Sequence, residues 1–318
     1  MKRLDQMEKG NEILSSVFEN LDPKVLAEDG RPLKMILIEQ LDKAFGQLES
    51  DAVGDPKVVA RMQHRLGVSL FNLGAEEKAI VVLQKALATR KALPDRDARA
   101  SDDLLGTMDF LAGCYLHTGQ QAEAIRLSKE LIKGRENLYG DRHYKTLSAR
   151  DTLAVVYHGA CRMKEALAIF EQTAQLWQPG MPGYDHHRNT AGIAYIDAGE
   201  LEKGLGLLEE VRDSLVAKLS PEHPDVIQVT NDLATAYYAS GDAAKAVELH
   251  EEVVAQAAKV FGADDPKVLW FKNELAKSYG AAGKFDEGLA MAEETFRLQE
   301  ALLGINHPDT LGSLGTLA

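Results

Sequence analysis

Tyr184-Asp185-His186-His187 is the stretch of this chain that most invites a chemical reading, because it sets a phenol, a carboxylate and two imidazoles side by side. Metal ligation would need the imidazoles to converge. Neighbours on a helix point about 100° apart, whereas zinc-binding helices use His at i and i+4, so the segment reads as a polar helix start. The carboxylate pairs Glu209-Glu210 and Glu251-Glu252 could serve acid–base chemistry, but they read as solvated helix faces. Cys114 and Cys161 stand far apart with no C-x-x-C, which fits neither a disulfide framework nor a zinc site. Two helical thiols in a reducing compartment are expected. The phosphate loop G-x-x-x-x-G-K-S/T, the dinucleotide fingerprint, the zinc-protease helix and the nucleophile elbow are all absent. No catalytic residue, metal or cofactor is therefore expected, and the chain reads as a non-enzyme.

The overall balance narrows the partners. Asp plus Glu exceeds Lys plus Arg by 49 to 36, a net charge of −13 with His neutral. Such a chain repels a phosphate backbone, so no nucleic-acid partner is expected. The longest aliphatic run is Met35-Ile36-Leu37-Ile38, far too short to span a bilayer, so no membrane insertion is expected. The opening MKRLDQMEKG has no apolar region behind it and does not read as a signal peptide. The expected location is the cytoplasm, unless a membrane-anchored segment lies upstream.

What must position any functional residue is a repeat. The frame L-A-x-x-Y-x-x-x-G-x-x-x-x-A recurs as LGVSLFNLGAEEKA (66–79), LAGCYLHTGQQAEA (111–124) and LAVVYHGACRMKEA (153–166). It returns as AGIAYIDAGELEKG (191–204), LATAYYASGDAAKA (233–246) and LAKSYGAAGKFDEG (275–288). The Gly column falls at Gly74, Gly119, Cys161, Gly199, Gly241 and Gly283, with spacings of 45, 42, 38, 42 and 42. A further Leu317-Ala318 is in register, so a seventh unit begins, and the chain reads as cut inside it.

Leu, Ala and Tyr at i, i+1 and i+4 share one helix face. The Gly four residues later suits the left-handed residue that ends a helix. The following Ala or Gly then faces back from a second helix. Each unit is thus a helical hairpin that cannot bury its apolar face alone and must stack. The links GDPKVV, EHPDVI, DDPKVL and NHPDTL carry Pro at the first helical position. Asp55, Asp265, His223 and His307 precede it as N-caps, with His143 in the same register. The expected fold is all-α, a right-handed superhelical solenoid of antiparallel helical hairpins.

The frame resembles that of tetratricopeptide repeats. The 42-residue spacing with H-P-D-T-L resembles the longer variety found in kinesin light chains and many bacterial proteins. The resemblance covers residues 55 to 318 and implies six repeats plus a truncated seventh. It departs at Cys161 for Gly, Leu70 for Tyr, and Gly204 and Gly288 for Ala. Residues 11–74 resemble a segment that follows the kinase domain in planctomycete-type bacterial serine/threonine kinases. The kinase motifs themselves are absent. Residues 1–50 read as a helical cap with helices over about 3–20 and 33–49, or as the end of a linker helix. The apolar stripe Ile36, Leu37, Leu41, Phe45 and Leu48 would cover the first repeat.

The resemblance implies a noncatalytic protein–protein interaction scaffold with a concave groove that holds a peptide or protein segment. The larger context would be a bacterial signalling protein; the alternatives are a free-standing adaptor or peptide-binding receptor, and an enzyme with an active site built into the groove. By register, the groove candidates are Arg61, His64, Val68 and Phe71, then Asp109, Ser148 and Asp151, then His186, Asn189 and Ile193. Gln228, Asn231, Thr235 and Tyr238 follow, then Trp270, Asn273 and Lys277. Asn189, Asn231 and Asn273 share one register position. Either their amides pair with a bound backbone, or they are polar inter-helix residues. Trp270 is either an anchor or packing between repeats. Self-association through an exposed last repeat is the remaining partner expected. The link WQPGMPGYDHH (177–187) shortens one period to 38 residues and predicts a hinge or a change of curvature. Gly204 and Gly206 are expected to weaken the next helix by roughly 1 kcal/mol each.

Overall fold

The computed structural model describes residues 33–50, 55–93 and 97–317. The helix expected over 3–20 and the turn at Asp22-Pro23 lie outside the described residues. Those residues form fourteen helices and no strand. A leading helix α1 (Leu33–Ser50) precedes three hairpins: α2 (Pro56–Asn72) with α3 (Glu76–Ala92), α4 (Ala98–His117) with α5 (Gln121–Tyr139), and α6 (Tyr144–Gly159) with α7 (Met163–Ala174). Three more follow: α8 (Tyr184–Asp197) with α9 (Leu201–Val216), α10 (Pro224–Ser240) with α11 (Ala243–Phe261), and α12 (Pro266–Ala281) with α13 (Phe285–Leu303). A last helix, α14 (Pro308–Leu317), packs on α13.

Five of the helix starts share one device, a side chain that fills a free N–H. Asp55 accepts from the Lys57 amide at 2.9 Å and Asp265 from the Lys267 amide at 2.8 Å. His143, His223 and His307 do the same through Nδ1, from Lys145, Asp225 and Asp309 at 3.3, 3.2 and 3.2 Å. The hairpin turns are equally regular. All six residues of the Gly column are left-handed, and Cys161, at φ 57°, is the one non-glycine with positive φ among the described residues. Five residues later, Ala79, Ala124, Ala166, Gly204, Ala246 and Gly288 are all buried where the two helices of a hairpin meet.

The described chain divides into two compact units, one ending at Trp177 and one beginning at Gln178. The division falls within the link where the shortened period lies. In the first unit, Leu41, Ala44, Phe45 and Leu48 of α1 enter the same core as Val58, Met62, Leu66 and Leu70 of α2. Leu41, Phe45 and Leu48 of the α1 stripe therefore pack on the first repeat. In the second unit, Ile196 and Leu208 pack with Leu233 and Tyr237, and Ile227 packs with Val253, Val268 and Phe271.

Candidate binding surface

The first unit brings part of the expected surface together. His64 of α2 meets Phe110 of α4 edge-on, ring centroids 5.7 Å apart, and Phe71 lies against both Phe110 and His117. Burial, with the Arg90 charge nearby, lowers the His64 pKa to about 4, so this imidazole is neutral in the fold. Arg61 is exposed, and Val68 and Ser148 are half-buried. Asp109 accepts from Arg135 of the following helix at 2.8 Å.

Asp151 is a correction. It is only 4% exposed. Its carboxylate accepts from Thr173 Oγ1 and from Trp177 Nε1, both at 3.0 Å. The residue ties α6 to α7 and to the end of the unit; it does not line a groove.

In the second unit the register position of the three asparagines is likewise drawn inward. Asn231 is 2% exposed and Asn273 4%, while Asn189 is half-buried. Each keeps one buried oxygen, Oδ1, that accepts from no protein donor. Asn189 donates from Nδ2 to Asp232 at 2.8 Å, and Gln228 donates from Nε2 to the other Asp232 oxygen at 3.0 Å. Burial raises the Asp232 pKa, while hydrogen bonds from the amides of Asn189, Gln228 and Asn231 and the charge of His186 oppose that rise.

Residues of this cluster line two cavities. One of 340 Å³ is lined by His186, Asn189 and Gln228 among others. The other, of 220 Å³, is lined by Ile193, Asn231, Asp232, Thr235, Trp270 and Glu274 among others. Trp270 is half-buried, meets Phe271 edge-on at 5.2 Å, and also leans on the core beside Val254. It thus packs between repeats and presents itself to the cavity. Tyr238 and Lys277 line a separate cavity of 680 Å³ with Phe285 and Leu289. Lys277 also donates to Glu274 at 2.7 Å.

Three residues of this surface were missed from the sequence: Phe110, Asp232 and Glu274. A signal was present. Each stands immediately before the Leu of its frame, beside the position of Asp109, Asn231 and Asn273. Of the two adjacent histidines, His187 is buried and His186 exposed, as their divergence on α8 requires. Among the described residues no group of three or more His, Cys, Asp and Glu side chains is placed to hold a metal ion. No described helix is long and apolar enough to cross a membrane. The surface offers shape, apolar walls and hydrogen-bond acceptors, which is the chemistry of binding.

The family profile described as tetratricopeptide repeat matches residues 103–178 and 186–259, and a second profile of the same description matches 268–309. Among solved structures, the chain is similar to a kinesin light chain of Podosopora anserina with nearly identical TPR-like repeats. That similarity has 28% identity and a TM-score of 0.54, and covers 66% of this chain and 99% of that one. A tetratricopeptide repeat protein from Parabacteroides merdae shares the fold at 12% identity and a TM-score of 0.59, covering 98% of this chain and 99% of that one. The apo form of RapI shares it at 10% identity and a TM-score of 0.63, over 91% and 98%. No curated protein matches. The profiles fall on hairpins that turn at the single left-handed column found here, and the chain belongs to the tetratricopeptide repeat family.

Proposed function

We propose that this chain is a noncatalytic interaction scaffold that binds a peptide segment of a partner protein along the first-helix face of its second unit. Tetratricopeptide repeat proteins mediate protein–protein interaction. The observation that carries the finer reading is that Asn189 and Gln228 of one cavity hydrogen-bond Asp232 of a second, with Trp270 at the wall of the second. Polar groups at fixed points beside an apolar wall suit an extended segment with one anchoring side chain. The context we favour is the regulatory region of a larger bacterial signalling protein, on the kinase-linked resemblance of residues 11–74; a free-standing adaptor is the alternative. The test is selection of short random peptides displayed against the intact chain, repeated with Trp270→Ala and with Thr235→Trp, which adds bulk without charge at the exposed rim. Peptides that lose binding to both variants support the reading; peptides indifferent to both end it.

Self-association is a second reading, favoured by the exposed apolar side chains of Phe285, Leu289, Leu311 and Leu314 on α13 and α14. Sedimentation velocity across a wide concentration range tests it, and a monomer throughout would rule it out.

A further inference from the structure

We infer that the segment taken by the second unit is cationic: the cavity lined by Asn231, Asp232, Glu274 and Trp270 accepts an arginine or lysine side chain beside an apolar anchor. This rests on the groove reading above and names the chemistry of its ligand.

The first observation is the company Asp232 keeps. Elsewhere in the fold, three carboxylates set between helices are met by a cation, while the buried Asp151 accepts from a hydroxyl and an indole. Asp109 has Arg135 at 2.8 Å, Asp102 has Lys145 at 2.6 Å, and Glu252 has Arg212 at 2.8 Å. Asp232 receives amide donors from Asn189 and Gln228, and no Lys or Arg among the described residues pairs with it. An ionised carboxylate taken out of water without a counter-charge is costly. A ligand that brings the missing charge recovers that cost, and the amide bonds hold the carboxylate ready in one orientation.

The second observation is independent of charge. Asn231 is 2% exposed, lines the same cavity, and its Oδ1 accepts from no protein donor. A buried acceptor with nothing to accept from calls for a donor from outside. Asp197 and Glu274 line the cavity too, and none of its lining residues is Lys, Arg or His. Lys277 reaches Glu274 from outside the lining, and the charge of His186 also acts on Asp232.

The polar atoms facing this space are thus overwhelmingly acceptors, and the ligand must supply donors. Ile193 and the indole of Trp270 provide the apolar side. An indole wall beside carboxylates favours a guanidinium, which stacks on the ring and donates in a fork, over the more strongly hydrated ammonium. An acidic segment would meet three carboxylates, one of them already paired with Lys277, against the Thr235 hydroxyl, the Trp270 indole N–H and amides already engaged.

The experiment sequences the peptides selected on the intact chain and measures their affinity for Asp232→Asn, Glu274→Gln and Asp197→Asn. Thermal unfolding serves as the folding control, and the exposed Asp197 provides a variant that does not disturb the core. The expected pool is rich in Arg and Lys next to Leu, Ile, Met or Phe. Its binding should weaken about tenfold in Asp232→Asn, and further as salt rises. Peptides that need Trp270 but are neutral or acidic, and bind the three charge variants as tightly as the parent, would overturn the cationic assignment and leave the groove reading standing. A pool indifferent to Trp270→Ala and Thr235→Trp, or no selected pool at all, would overturn both.

Discussion

Gly204 of α9 lies directly against the backbone of Gly192 in α8: a Cβ added to Gly204 would stand 2.7 Å from the Gly192 carbonyl oxygen and 2.7 Å from Ile196 Cγ1. The fourth hairpin closes backbone to backbone at this point. Gly206, two residues on, has nothing within 4 Å of an added Cβ. The expectation that the two glycines weaken α9 alike therefore separates into opposite roles.

Gly204→Ala should destabilise the protein by about 1–3 kcal/mol, because helices packed this closely cannot take the extra carbon without shifting. Gly206→Ala should stabilise it by up to about 1 kcal/mol through helix propensity. Urea unfolding of both variants checks the pair. Equal effects of the same sign would mean that close approach is not the role of Gly204.

Cys161 carries a left-handed backbone, φ 57°, where the other five repeats place glycine. A side chain in that region costs about 1 kcal/mol or somewhat more. Cys161→Gly should raise stability by about 0.5–1 kcal/mol, part of the gain being lost to the freer unfolded chain. Cys161→Ala should not stabilise, since it keeps the Cβ. Thermal melts of the two variants under reducing conditions decide the matter.

His250 of α11 is 1% exposed and bonded to Ser278 Oγ at 2.8 Å. Burial, with Lys277 nearby, lowers its pKa from 6.5 to about 4. The unfolded chain therefore binds the proton more readily, and stability falls as pH drops. The contribution is intact above the unfolded pKa of 6.5 and is lost as pH falls towards 4, amounting to roughly 3 kcal/mol at the lower end. His250→Gln should flatten the denaturation profile over this window. A profile unchanged in slope would show that His250 is not what titrates.

Trp177 donates its indole N–H to the buried Asp151 at 3.0 Å. Asp151→Ala should cost about 2–4 kcal/mol by leaving that N–H unpaired in the core. In a Trp270→Phe background, which leaves Trp177 as the sole indole, the emission spectrum should shift with it. Asp151→Asn keeps an acceptor and should cost less. An Asp151→Ala variant as stable as the parent would contradict a tying role for this carboxylate.

The local grammar of the molecule was readable in the residues alone. Apolar spacing marked the helix faces, Pro behind Asp or His marked four of the starts, and the Gly column with Cys161 marked the hairpin turns, because caps and left-handed turns depend on residues a few positions apart. The same locality explains the apolar stripe of α1. What lay beyond reach was the direction of a given column once helices cross. Asp109 meets Arg135, Asp151 is sealed into its hairpin, and Asn231 points into a cavity beside Asp232, though all three occupy one register position. Their surroundings come from a neighbouring helix, as with Asn189 and Asp232, which are 43 residues apart in the chain. Only the stacking of hairpins decides which carboxylate finds an arginine, which finds only amides, and which glycine must remain bare.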